Sequence, residues 1–152
     1  NSGGVYMDTV YYGYFPTYEA YLCALVHIGI DFKSYDIYSH FKLCSRYSNQ
    51  FGNLIFVGLD NELNKVYAMG CKGFGDVVIN SQSSFHKICN IRENIKYIDT
   101  VKISTSLPHV IEKIKDYDCL YNTARRLFYY WCQKTYSKAK YFVEDERLFI
   151  SK

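Results

Sequence analysis

Histidine and cysteine supply most of the chemistry this 152-residue chain can offer: four histidines, and six cysteines at 23, 44, 71, 89, 119 and 132. His27 lies in the apolar run Val26-His27-Ile28-Gly29-Ile30. A histidine in such a run is more often a satisfied core residue than a catalyst. His40 follows thirteen positions later. On two strands joined by a turn at Lys33-Ser34, that spacing brings the rings together or into one cleft. A histidine pair supplies both a base and the group that fixes its tautomer. His86 and His109 read as surface residues. Cys119 sits in Tyr117-Asp118-Cys119-Leu120-Tyr121-Asn122-Thr123, which leads into a helix capped by Asn122. The positive end of a helix favours a thiolate, and a thiolate beside a histidine is a nucleophile pair. The alternative is a Cys119 that packs beneath the helix as a small hydrophobe.

Other motifs are weaker. Gly70-Cys71-Lys72-Gly73-Phe74-Gly75 lacks the Gly-Lys-Ser/Thr ending of a phosphate loop, and no helical pattern follows it. It reads as a hairpin turn. No paired Cys-x-x-Cys, metal-spaced cluster or cofactor motif is present, so neither metal nor cofactor is expected.

The elements that must position these residues begin with strands. Val5 to Tyr14 is β-branched and aromatic and closes at Phe15-Pro16-Thr17. Tyr21 to Phe32 reads as a long apolar strand, with Tyr35 to Leu43 as its partner. Asn53 to Leu59 and Lys65 to Met69 form a hairpin around Asp60-Asn61-Glu62. Val77 to Ile79 reads as a short strand, Ser81 to Ser84 as loop, and Tyr97 to Ile103 as a strand. The period then changes. Ser104 or Ser106 caps a helix with Pro108 in its first turn and Val110, Ile111 and Ile114 at helical spacing. A second helix runs from Asn122 to about Lys134, and Phe142 to Ile150 reads as a last strand. Strands first and helices late predict one α+β domain over 1–152: an antiparallel sheet with two main C-terminal helices.

Composition narrows the class. Apolar residues make up 49% and charged residues 22%, which excludes a disordered chain. The longest apolar stretch, Ala20 to Ile30, is too short to cross a bilayer. A net charge of +3 is too small to demand a polyanionic partner. Arg125, Arg126, Lys134, Lys138 and Lys140 lie among tyrosines, but such a charge run is usually a solvated face, and nucleic acid is not expected as a partner. The cysteines read as mostly reduced, which points to the cytoplasm. Asn1 in place of Met reads as a fragment or a processed product.

At its histidines and late helix the sequence resembles the circularly permuted papain-like superfamily, which includes the lecithin:retinol acyltransferase-like, H-box/NC and NlpC-type proteins. His27-Ile28-Gly29-Ile30-Asp31-Phe32 and Tyr35-Asp36-Ile37-Tyr38-Ser39-His40 look like the first part of its pattern. Tyr117 to Asn122 looks like the approach to its Asn-Cys pair. The resemblance covers about 20–45 and 97–132. It implies a papain-like fold and a thiol hydrolase or acyltransferase. Cys119 would attack an acyl, amide or isopeptide carbonyl of a protein or lipid substrate, with His27 as base and His40 as orienting group. In the register that aligns Asn122 with the family's Asn, Thr123 takes the nucleophile position, and the domain is an inactive fold that binds a protein partner through its tyrosine-rich surface. In the other register Asp118-Cys119 takes the Asn-Cys place and the nucleophile survives, and both stay open on sequence alone.

Overall fold

The computed structural model describes residues 6–33, 35–88 and 94–150, without the side chains of 85, 86 and 148–150. Val5, Ser34, the His86 side chain and Cys89 therefore lie outside the described residues. Among the described residues, four strands form one sheet in the order β2-β3-β1-β4: β1 is Asp8–Gly13, β2 Ile55–Leu59, β3 Lys65–Gly70 and β4 Ile95–Asp99. β1 runs parallel to both β3 and β4, and β2 pairs antiparallel with β3. The sheet is mixed, which corrects the antiparallel expectation. The hairpin about Asp60 is present as read. The Asp60 Oδ1 atom accepts the backbone N–H groups of Glu62 and Asn64, each at 2.9 Å, and fixes that turn.

Among the described residues, five α-helices accompany the sheet: α1 Glu19–His27, α2 Ile37–Tyr47, α3 Gly75–Ile88, α4 Leu107–Ile114 and α5 Tyr121–Ile150. Four segments read as strands thus lie in helices, in α1, α2, α3 and α5. α1 is apolar on nearly every side because it is buried nearly all round, with Ala20, Leu22, Cys23 and Ala24 fully covered. Without an amphipathic stripe, period cannot separate a buried helix from a buried strand. Its stop signal was nonetheless in the sequence. Gly29 has φ +91°, the Ile30 N–H reaches Leu25 O at 3.1 Å and the Gly29 N–H reaches Val26 O at 3.0 Å, the double closure of a glycine-terminated helix. α2 starts at Asp36, whose carboxylate accepts the Ser39 N–H at 3.1 Å as an N-cap. α3 absorbs both the expected strand Val77–Ile79 and the expected loop Ser81–Ser84.

α4 forms where expected, behind Ser106 and Pro108. The expected strand Tyr97 to Ile103 stops at Asp99 and continues as a 3-10 turn, Val101–Ile103. α5 does not end near Lys134. It runs 30 residues and takes in the expected last strand. No Gly or Pro interrupts that stretch, and Ala124, Phe128, Trp131, Cys132, Ala139, Phe142 and Val143 keep one helical stripe buried throughout.

Strand alternation divides the core into two layers. Tyr11, Val66, Ala68 and Ile98 face α1, α2, α4 and α5 in the main cluster. Val10, Met69 and Cys71 face the other way, where Val78 and Ile79 of α3 cover them with Tyr12, Tyr67 and Tyr97. The chain therefore leaves β1 towards one face of the sheet and leaves β3 towards the other.

Candidate functional site

His27 is on the last turn of α1, not on a strand, and is 5% exposed. Its Nδ1 lies 2.7 Å from the Tyr11 hydroxyl and its Nε2 lies 3.3 Å from Asp60 Oδ2. Burial and the Arg147 charge lower its pKa, against the pull of Asp60. For Asp60, burial opposes the ionised form, but hydrogen bonds from Asn64, Glu62 and His27 outweigh it and hold the carboxyl below its ordinary range.

His40 is on α2, buried beside Phe128 and Tyr21. Its Nδ1 meets the Tyr35 hydroxyl and its Nε2 meets the Thr17 carbonyl. Burial lowers its pKa to about 4. The two histidines therefore have separate partners and do not form a pair. Their thirteen-residue spacing crosses the end of one helix and the start of the next.

Cys119 lies on the 3-10 turn Asp118–Leu120 just before α5, and it is exposed. No hydrogen bond or ion pair joins it to His27 or His40 among the described residues. Its exposure also excludes the alternative of a thiol packed beneath the helix. Asn122 and Thr123 are exposed on the first turn of α5. Cys23, Cys44, Cys71 and Cys132 are free and buried.

The structure gathers a different set of residues. A crevice of about 350 Å³ opens beyond the carboxyl ends of β1, β3 and β4. Tyr12, Gly13 and Tyr14 form one wall, and Cys71, Gly73, Gly75 and Asp76 another. Asp99, Thr100, Val101, Ser104 and His109 complete it. It stands where the chain leaves β1 and β3 towards opposite faces, the place where open parallel sheets hold ligands. Tyr12 sits in the middle. Burial, then the Asp99 and Asp76 carboxylates, hold its phenol above the ordinary range. The Cys71 thiol is pushed up to about 11 by burial and then by Asp99. The Thr100 hydroxyl donates to Tyr12 O at 2.9 Å and locks β4 to β1 at the floor.

Two readings of the sequence change here. His109 is not a plain surface residue: it is half-buried, with its ring 4.5 Å from that of Tyr14 and 5.0 Å from that of Phe15. The glycine-rich segment after β3 is not a hairpin turn. It carries the chain from β3 into α3, with Lys72 at φ +50° and Gly73 at φ +82°. The Lys72 ammonium is turned over the Phe51 ring, 4.4 Å from its centroid.

A family comparison fits the extent of this fold. Residues 8–147, from the first residue of β1 almost to the end of α5, match the family described as Protein of unknown function (DUF3189). The chain belongs to the DUF3189 family. Neither a curated protein nor a solved structure matches it. The crevice and both buried histidines fall inside the DUF3189 match. Among the described residues, no group of three His, Cys, Asp or Glu side chains is placed to hold a metal ion. No helix is long and apolar enough to cross a membrane among them.

Proposed function

We propose that this domain binds a small, polar, donor-rich ligand in the crevice beyond β1, β3 and β4. A polyhydroxylated or amine-bearing molecule fits the chemistry. The observation that carries the reading is the wall itself: Asp76 and Asp99 flank the Tyr12 phenol at the point where the chain divides between the sheet faces. A crevice of about 350 Å³ is within the range of small-molecule sites. Two carboxylates repel an anion, and the nearby Lys72 is held against Phe51, so a phosphate group is disfavoured. Carboxylates accept from hydroxyl or ammonium donors, while the Tyr14 and His109 rings offer apolar contact.

On this reading the protein is a binding module for a small ligand, whereas the sequence left open, beside a thiol enzyme, an inactive fold that binds a protein partner. A papain-like thiol mechanism draws less support, because Cys119, His27 and His40 are not hydrogen-bonded to one another. The test is an amide NMR titration with ribonucleosides, polyamines and amino sugars. A ligand of this class moves residues 12–14, 71–76 and 99–109, and Asp99→Asn weakens its binding about tenfold or more, the scale of a lost charge-assisted hydrogen bond. If the whole panel leaves those residues unmoved at millimolar concentration, the reading fails.

A further inference from the structure

The outward side of α5 is basic and aromatic from Arg125 to Tyr141, and the exposed acids of the helix, Glu144 and Asp145, come only after that stretch. Five of the eighteen basic residues, and none of the fifteen acidic ones, fall between Cys119 and Val143. The apolar stripe of the helix is spent on the core. The opposite side carries Arg126, Tyr129, Tyr130, Gln133, Lys140 and Tyr141. Tyr129, Tyr130 and Tyr141 are 39%, 49% and 70% exposed, a large area of phenol ring left in water. Arg125 joins Arg126, both tyrosines of the first pair and Gln133 around one surface groove. The Lys134 ammonium lies 4.6 Å over the Tyr130 ring. Among the described residues, none of these cations forms an ion pair.

We propose that this face of α5 binds single-stranded nucleic acid. Arginine and lysine along one side of a helix match a phosphate chain, and exposed rings between them stack on unpaired bases. The overall charge of +3 hides this match, because the acidic residues lie outside the stretch, the nearest being Asp116 and Asp118 before it and Glu144 to Glu146 after it. The alternatives fit less well. A duplex buries its base faces, so the tyrosine rings would gain no stacking from it. A membrane needs aliphatic side chains to insert, and the exposed positions from Tyr121 to Arg147 offer none. The site is separate from the crevice and does not depend on what binds there.

The experiment is fluorescence anisotropy with labelled 16-nucleotide strands of mixed sequence, as RNA and as DNA, and with the matching duplex. Single strands are expected to bind at least tenfold more tightly than duplex at 50 mM salt. With about four phosphates engaged, raising salt to 200 mM weakens binding roughly 50-fold. Tyr129→Ala with Tyr130→Ala keeps the charge and weakens binding about tenfold or more. Arg125→Ala with Arg126→Ala weakens binding and flattens the salt dependence. Thermal unfolding like that of the unaltered protein shows that each variant is folded. A difference between the RNA and DNA arms identifies which strand is preferred. Absence of binding at 50 mM salt overturns the proposal. So does equal affinity for duplex with no effect of the tyrosine changes, or binding only to phosphatidylserine vesicles or a poly-glutamate peptide.

Discussion

The Tyr11 hydroxyl lies 2.7 Å from Nδ1 of His27 and ties the middle of the central strand to the last turn of α1. Burial holds the Tyr11 phenol in its protonated form, so it donates. The ionised Asp60 can only accept, so Nε2 of His27 carries the proton. The imidazole is therefore neutral and fixed in one tautomer. Nitrogen-15 NMR at pH 7 should show that tautomer for His27. Tyr11→Phe leaves Nδ1 buried without a donor and should cost about 1–3 kcal/mol in urea unfolding. No measurable loss would mean that the contact is idle.

Glu19 makes the stability of the fold depend on pH. It is buried at the start of α1, with burial as the dominant cause of a pKa raised to about 7 despite the backbone N–H groups it accepts. The folded chain thus holds a proton that the unfolded chain releases between about 4.5 and 7. The stability this gives is full below 4.5 and is lost as pH rises through 7. Glu19→Gln should therefore stabilise the protein at pH 8, by up to about 3 kcal/mol, and change little at pH 4.5. Equal effects at both pH values would contradict the assignment.

His40 works in the other direction. Its pKa is lowered to about 4, so the unfolded chain takes up a proton near pH 6.5 that the folded chain refuses. Its contribution to stability is full above 6.5 and declines as pH falls towards 4, by about 3 kcal/mol in total. Proton NMR should find the His40 ring still neutral at pH 5. In Glu19→Gln the acid loss is no longer offset, and unfolding curves between pH 7 and 4.5 should fall more steeply than those of the unaltered protein.

Gly70 ends β3 beneath the loop that joins β1 to α1. A Cβ added there would stand 2.6 Å from the nitrogen of Pro16, which is backbone and cannot swing aside. Gly70→Ala should destabilise by about 2 kcal/mol or more, in the range of an overpacked core. It should also widen the crevice, whose β1 wall continues into that loop. An unfolding midpoint within error of the unaltered protein would show that the loop moves freely.

Iodoacetamide should label Cys119 before Cys23, Cys44, Cys71 and Cys132, since it alone of these five is exposed. Its rate should be the same in His27→Ala, because no hydrogen bond links the two. A clear slowing, resolved by mass spectrometry, would restore the thiol–histidine pair and with it the enzyme reading.

How much was legible depends on what each signal is made of. Asp60 announced its hairpin because a turn carboxylate acts on N–H groups two and four residues away. Pro108 and the apolar spacing after it announced α4 for the same local reason. Asp36 and Gly29 were equally local signals, for the start of α2 and the end of α1. The β-rich, tyrosine-heavy composition outweighed them, and two helices were read as a hairpin.

The crevice was not legible. Asp76 and Asp99 are twenty-three residues apart, and Tyr12 is farther still. They meet because β3 and β4 lie on either side of β1, all three ending at the same edge. The amino-acid sequence by itself determined a mixture of α and β structure, the hairpin about Asp60, helices late in the chain and a helical stretch rich in Arg, Lys and Tyr. Only the tertiary structure decided which ends of the strands coincide and which histidines are sealed away. Strand order depends on contacts between residues remote in the chain, and local pattern carries no trace of them.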